Sequence, residues 1–178
     1  MTSYDVIIIG GGPGGSTAGA LLARAGRRVL ILERETFPRF QIGESLLPFG
    51  NAILEQSGAW EKVRAAGFIP KLGAEFVTGN GAYRQRFWFR DGLFPEYPAT
   101  YQVERATFDD ILLRHAAESG CEVRQGTAAT AVQLDEAGAT ITLAGGTTVR
   151  SRWLVDASGR ATFVARALQV PREHIEMP

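Results

Sequence analysis

Gly10-Gly11-Gly12-Pro13-Gly14-Gly15 carries the spacing G-x-G-x-x-G at Gly10, Gly12 and Gly15. That spacing suits diphosphate recognition: Gly10 permits a tight turn, Gly12 lets the backbone approach a pyrophosphate, and Gly15 lets a helix pack closely on a sheet. Pro13 and Gly14 complete the turn. The helix that starts there offers unpaired N–H groups and the positive end of its dipole to the phosphates. Glu33 follows eighteen residues beyond Gly15, where an acid holds a ribose hydroxyl and repels a 2′-phosphate. FAD or NAD is therefore favoured over NADP, and the neighbouring Arg34 weakens that preference a little. A purely structural glycine turn is the competing reading.

Three further groups have chemistry to offer. Lys71 lies in Gly67-Phe68-Ile69-Pro70-Lys71-Leu72-Gly73 and is one of only two lysines, the other being Lys62. Desolvated among Phe68, Ile69 and Leu72, it would serve as nucleophile or donor; on chemistry alone the solvated surface lysine is the commoner case. Val155-Asp156-Ala157-Ser158-Gly159-Arg160 ends a strand, and open α/β sheets bind ligands at such ends. Asp156 would touch a cofactor there, with Gly159 allowing close approach; an Asp or Ser cap on a following helix explains the same residues. Asp109 and Asp110 are helix neighbours that point different ways, so they are no acid/base pair. His115 reads as packing, His174 carries no signal, and Cys121 reads as a small buried apolar residue.

The elements that must position these groups follow from periodicity. Tyr4–Ile9 is a β-branched run that predicts a parallel strand buried on both faces. Residues 14–25 predict a helix with Ala18, Leu21, Leu22 and Ala25 on its apolar face and Gly26 as its stop. Val29–Leu32 is a second strand, so residues 4–33 form one βαβ unit. Helices are predicted over 44–57, with Pro48 in the first turn and Gly58 as stop, and over 60–66. Residues 72–104 are aromatic and β-rich, with turns at Gly79-Asn80-Gly81 and Asp91-Gly92. A helix is predicted over 107–118 with Thr107 as N-cap. Cys121-Glu122-Val123 begins a strand. A three-strand meander follows, through Val132/Leu134, Ile141/Leu143 and Val149, and Trp153-Leu154-Val155 reads as a last buried strand. The fold class is α/β: a Rossmann-like parallel sheet with a three-strand antiparallel meander and part of a second antiparallel sheet.

Composition narrows the classes. The 178 residues hold nineteen Lys+Arg against nineteen Asp+Glu, giving zero net charge and no electrostatic footprint for nucleic acid or an anionic membrane. One cysteine rules out an internal disulfide framework, no Cys/His cluster has metal-ligand spacing, and no apolar stretch approaches the ~20 residues of a membrane span. No signal peptide is visible, so a reducing, cytoplasmic setting is expected. Seventeen of the nineteen basic residues are arginines.

The start, DVIIIGGGPGGSTAGALLARAGRRVLILERE, resembles the FAD-binding N-terminus shared by flavin monooxygenases, geranylgeranyl-type reductases and flavin-dependent halogenases. TFPRFQIGESLLP at 36–48 is similar to the halogenases, especially those acting on phenolic or pyrrolic substrates. That resemblance implies that Glu44 and Ser45 lie against the flavin; as plain chemistry, Glu44 is an acid in the first turn of a helix. The K-x-G setting of Lys71 resembles the halogenase lysine that receives or guides hypohalous species made from halide, O2 and FADH2. Tyr101-Gln102-Val103-Glu104-Arg105 with Phe108-Asp109 is similar to the family's Q-V-x-R-x-x-F-D segment, in which the residue matching Arg105 reaches FAD. Residues 155–160 resemble its second flavin-associated motif. The resemblance further implies a small aromatic substrate, free or carrier-bound, and a separate flavin reductase as partner. Residues 1–70 and 105–178 would form the FAD-binding domain, with 71–104 a β-rich insertion opening a substrate domain. The family's W-x-W-x-I-P and G-D-A motifs would lie beyond Pro178, so the chain reads as part of a longer enzyme. Two alternatives remain: an NAD(P)H-dependent flavin hydroxylase or geranylgeranyl-type reductase, and a catalytically incomplete nucleotide-binding fragment.

Overall fold

The computed structural model describes residues 3–171. In chain order the elements are β1 (Ser3–Ile9), α1 (Pro13–Arg24), β2 (Val29–Leu32), β3 (Glu44–Ser45), α2 (Phe49–Ser57), α3 (Trp60–Ala65), β4 (Ile69–Lys71), β5 (Gly73–Val77), β6 (Arg84–Trp88), β7 (Thr100–Val103), α4 (Arg105–Glu118), β8 (Glu122–Arg124), β9 (Ala129–Asp135), β10 (Gly138–Leu143), β11 (Thr148–Asp156) and α5 (Phe163–Ala167). They divide into two compact units, Met1–Thr36 with Ala116–Pro178, and Phe37–His115.

The first unit is built on a six-stranded sheet in the order β8-β2-β1-β11-β10-β9. The first four strands run parallel, and β10 and β9 extend them antiparallel. Ile7, Ile8, Leu30 and Ile31 are fully buried, each contributing about 1.5–3 kcal/mol of transfer free energy. Tyr4, Ile7, Leu30 and Leu32 form one core with Ala139, Ile141, Leu143 and Val149. Mixed α/β architecture with a parallel-dominated sheet is therefore as the periodicity implies.

Two local readings of this unit are corrected. The third meander strand and the last strand are one continuous strand, β11, because Arg150-Ser151-Arg152 contains no glycine or proline to break it. Its first half pairs antiparallel with β10 while its other edge pairs parallel with β1 from Ser3↔Arg150 to Ile9↔Asp156. Trp153 on it is 63% exposed, so that end of β11 is not a buried strand. On α1 the buried face is Gly15, Ser16, Gly19 and Ala20 rather than the Leu21/Leu22 stripe. Small residues win because the helix lies so close to β2 that a Cβ on Gly19 would sit 2.7 Å from Ile31 Cδ1.

The second unit holds an antiparallel sheet in the order β3-β7-β4, a β5–β6 hairpin, α2, α3 and α4 through His115. Leu54, Ala59, Val63, Val103, Phe108 and Leu112 form its core. The predicted helix over 44–57 is corrected: Glu44 and Ser45 form β3, paired to Val103 and Gln102, and the helix begins only at Phe49. Pro48 disfavours helical geometry at Leu47, so the chain reaches it extended. Glu44 is therefore not a first-turn acid. Gly58 ends α2 in the left-handed region, as read. Thr107 is likewise not an N-cap, since α4 starts at Arg105 and the Glu104 carbonyl accepts its first bond, from Phe108 N. The Thr107 hydroxyl instead donates to the Glu104 carboxylate at 2.9 Å.

Candidate functional site

In the first unit the glycine turn is held from three sides. Gly10 N donates to the Leu32 carbonyl at 2.8 Å, and Ala157 N donates to the Ile9 carbonyl at 2.9 Å. Gly10 has φ +107°, and a Cβ there would collide with the Ala157 carbonyl. A Cβ on Gly15 would collide with the Gly10 carbonyl. Only glycine fits either position. Gly12 is the extended N-cap of α1, Pro13 takes the first helical position, no side chain caps the helix, and no acid lies in its first turn. Gly14 is exposed, with open space where its Cβ would be. No side-chain cap and no acid of α1 itself therefore competes for the first-turn N–H groups.

Glu33 directly follows β2 and its side chain is buried. Its Oε2 accepts from Gly11 N at 2.7 Å and its Oε1 from Glu35 N at 2.9 Å. Each oxygen keeps a second lone pair, so the carboxylate is oriented beside the turn and still able to accept a hydroxyl. Arg34 is exposed and pairs with Glu35 at 3.5 Å. Dipole, glycine cradle and oriented acid together fit the diphosphate and ribose of a dinucleotide.

Asp156 ends β11 beside the turn, and its carboxylate is engaged by backbone: Oδ1 accepts from Ser158 N at 3.0 Å and Oδ2 from Val164 N at 2.8 Å. Ser158 Oγ accepts from Phe163 N at 2.9 Å. The two side chains cap α5, the structural role the sequence leaves open. Burial pushes the Asp156 carboxyl up, but the hydrogen bonds from Ser158, Val164 and Ala165 outweigh it and leave it below its ordinary value. Gly159 has φ +61° and nothing near its Cβ position. Cys121 is buried, as expected, and burial pushes its thiol up to about 11.

In the second unit β7 carries the other motif residues on its two flanks. Glu44 and Ser45 lie exposed on β3, and Lys71 pairs opposite Thr100 on β4. The expected apolar cage around Lys71 does not form. Phe68 turns into the core against Phe108, and Ile69 and Leu72 are both exposed. The ammonium instead donates to the Leu46 carbonyl at 3.0 Å and lies 5.3 Å from the Phe89 ring centroid.

Arg105 opens α4, two residues beyond the end of β7, and its guanidinium makes a bidentate pair with buried Asp109. Arg39 Nη2 adds a third contact to Asp109 at 3.5 Å and its guanidinium lies over the Phe37 ring at 4.6 Å. Hydrogen bonding to Asp109 pushes the Arg105 pKa up, burial opposes it, and the Asp109 and Glu44 charges reinforce the rise. Sequence reasoning missed Asp109 and Arg39 as the frame for Arg105; the i, i+4 spacing of Arg105 and Asp109 was the available signal. Phe89 was missed as well, and no spacing rule points to it. His115 is buried with Nε2 at 2.8 Å from the Ser57 carbonyl, a packing role as read. His174 lies outside the described residues. Among the described residues, no group of three His, Cys, Asp or Glu could hold a metal, and no helix is long and apolar enough to cross a membrane.

Comparison with known proteins bears on both halves of this arrangement. The family model described as "FAD binding domain" matches residues 3–177. The flavin-dependent halogenase armH3 of Armillaria mellea is 42% identical over 89% of this chain and 32% of its own length. The 1H-pyrrole-2-carbonyl-[peptidyl-carrier protein] chlorinase of Pseudomonas fluorescens is 35% identical over 93% of this chain and 41% of its own. A flavoprotein/dehydrogenase structure from Cytophaga hutchinsonii superposes with a TM-score of 0.88 at 34% identity, covering 97% of this chain and 44% of that one. The chain therefore spans 32–44% of the length of these three proteins.

Proposed function

We propose, from the premise that this chain belongs to the FAD binding domain family, that it is the FAD-binding part of a flavin-dependent halogenase acting on an electron-rich aromatic substrate. The observation that carries this reading is the 42% identity to a flavin-dependent halogenase across 89% of the chain. The cofactor fits the residues present: a cradle only glycine can line, an uncapped helix start, and the buried, oriented Glu33.

In this reading the first unit's Gly10, Gly12, Pro13, Gly14 and Gly15 receive the diphosphate and Glu33 accepts a ribose hydroxyl. Arg34 stays outside in solvent, while Asp156 and Gly159 shape the strand end beside them. The second unit's Glu44 and Ser45 lie along the flavin, and Arg105 offers it N–H donors. Bound reduced flavin, with O2, supplies the oxidising equivalents for halide. Lys71 is the catalytic residue: its ammonium holds and directs the oxidised halide toward the aromatic ring. Residues 71–104 open the substrate domain in this scheme. A separate reductase supplies FADH2, and the setting is cytoplasmic. The substrate is free or carrier-bound; the resemblance to a chlorinase of a carrier-bound pyrrole supports the second form.

Halide-dependent product formation by the protein with supplied FADH2 and O2 tests this. Lys71→Ala is expected to abolish halogenation while leaving flavin bound; full halogenation by that variant would remove Lys71 from the role. The likeness to a flavoprotein/dehydrogenase favours a second reading, a flavin hydroxylase or reductase. Substrate-coupled NAD(P)H consumption without halide dependence would select it.

A further inference from the structure

Lys71 is held by contacts that its own motif does not contain. β3 and β4 flank β7, and Leu46, just beyond β3, donates its N–H to the Tyr101 carbonyl at 3.0 Å. Leu46 is thereby tied to the same strand that pairs with β4, and Lys71 Nζ reaches across to its carbonyl at 3.0 Å. On the other side, Phe89 N donates to the Leu72 carbonyl at 2.9 Å, tying the residue after β6 to the residue after Lys71. This link depends on a close approach of β5 and β6 at the Gly73↔Trp88 pair, where a Cβ on Gly73 would collide with the Phe87 carbonyl. The glycine of K-x-G therefore has a steric role. It lets β6 close onto β5, so that the following Phe89 presents its ring 5.3 Å from the ammonium.

We infer that Phe89 is the positioning residue for Lys71, its ring clamping the ammonium against the Leu46 carbonyl so that two N–H donors are left for a reacting species. A cation over an aromatic face is attracted by the ring quadrupole, more strongly as water is excluded. One N–H is spent on Leu46, and an ammonium has three. The clamp restricts the long, rotamer-rich side chain before anything binds. Its catalytic meaning rests on the halogenase reading above; its geometry does not.

The paucity of lysines makes the test direct. Reductive methylation with 13C-formaldehyde labels Lys62, Lys71 and the N-terminal amine, and Lys71→Arg identifies the Lys71 signal by its loss. Beneath the Phe89 ring, the Lys71 methyl resonance is expected upfield of that of exposed Lys62. Phe89→Leu is expected to remove the upfield shift and Phe89→Tyr, which keeps the ring face, to retain it. In halogenation assays with supplied FADH2, Phe89→Leu is expected to lower kcat about tenfold at unchanged KM, and Phe89→Tyr to restore it. A Lys71 resonance that ignores Phe89→Leu overturns the clamp, as does equal loss of activity in the Leu and Tyr variants with flavin retained. Absence of halide-dependent product from the unmutated protein sinks the halogenase reading instead, and the resonance shift still decides the clamp.

Discussion

Arg105 grips Asp109 through two hydrogen bonds, Nε to Oδ1 at 2.7 Å and Nη2 to Oδ2 at 2.9 Å, although the Asp109 side chain is wholly shut off from solvent. A buried charge this well paired is tolerated because partner and geometry compensate its lost hydration. The Q-V-x-R-x-x-F-D pattern acquires a physical sense from it. Phe108 anchors the helix start in the second unit's core, Asp109 aims the arginine, and Arg105 presents its remaining N–H donors.

Asp109→Asn is expected to cost about 3 kcal/mol, because it leaves two guanidinium groups facing a neutral amide. The measurement is a urea melt: the midpoint should fall while the slope stays constant. Arg105→Lys should also lose stability, since a point charge cannot reproduce the bidentate fork. A midpoint unchanged in the Asn variant would show that the pair contributes no net stability.

Adjacent glycines should behave oppositely. Gly15→Ala places a methyl against the Gly10 carbonyl oxygen and is expected to pull α1 off the turn, lowering the melting temperature and flavin retention together. Gly14→Ala meets open space in a helical position. It should leave the fold as stable or raise it by about 0.5–1 kcal/mol, while weakening flavin retention by intruding where the phosphates are proposed to sit. Visible flavin absorbance alongside a thermal melt separates the two effects.

Acidification should loosen the end of β11. Burial raises the Asp156 carboxyl, yet the hydrogen bonds it accepts leave it below its ordinary 3.8. A depressed folded-state pKa means that the stabilisation is complete above the unfolded value and is lost as pH falls through the folded one. Amide exchange at Phe163–Ala167 should therefore accelerate below about pH 3.8. In Asp156→Asn it should already be fast at neutral pH and lack that acid transition. An acid transition that survives the substitution would assign it to another group.

The sequence by itself was enough for the cofactor half of this molecule. A β-branched run, a glycine turn and an Ala-rich helix within thirty residues determine a βαβ unit through local sterics and period alone, and Glu33 falls at the end of β2 because strand length is set locally. What failed there failed for tertiary reasons. Leu21 and Leu22 look like the buried stripe of α1, but contact with Ile31 selected the glycine side of the helix. Val149 and Trp153 look like parts of two strands, but one strand with two free edges can serve β10 and β1 at once.

The proposed catalytic half was decided mostly by tertiary structure. Glu44 and Ser45 became a strand because β7 was there to pair with them, a partner more than fifty residues away. Lys71 was visible as a rare lysine, whereas its surroundings were not. Leu46 lies twenty-five residues earlier and Phe89 eighteen later. Periodicity reports which face a side chain takes; it cannot report which distant backbone carbonyl or ring will wait there. That depends on strand pairing, and pairing is a property of the folded chain.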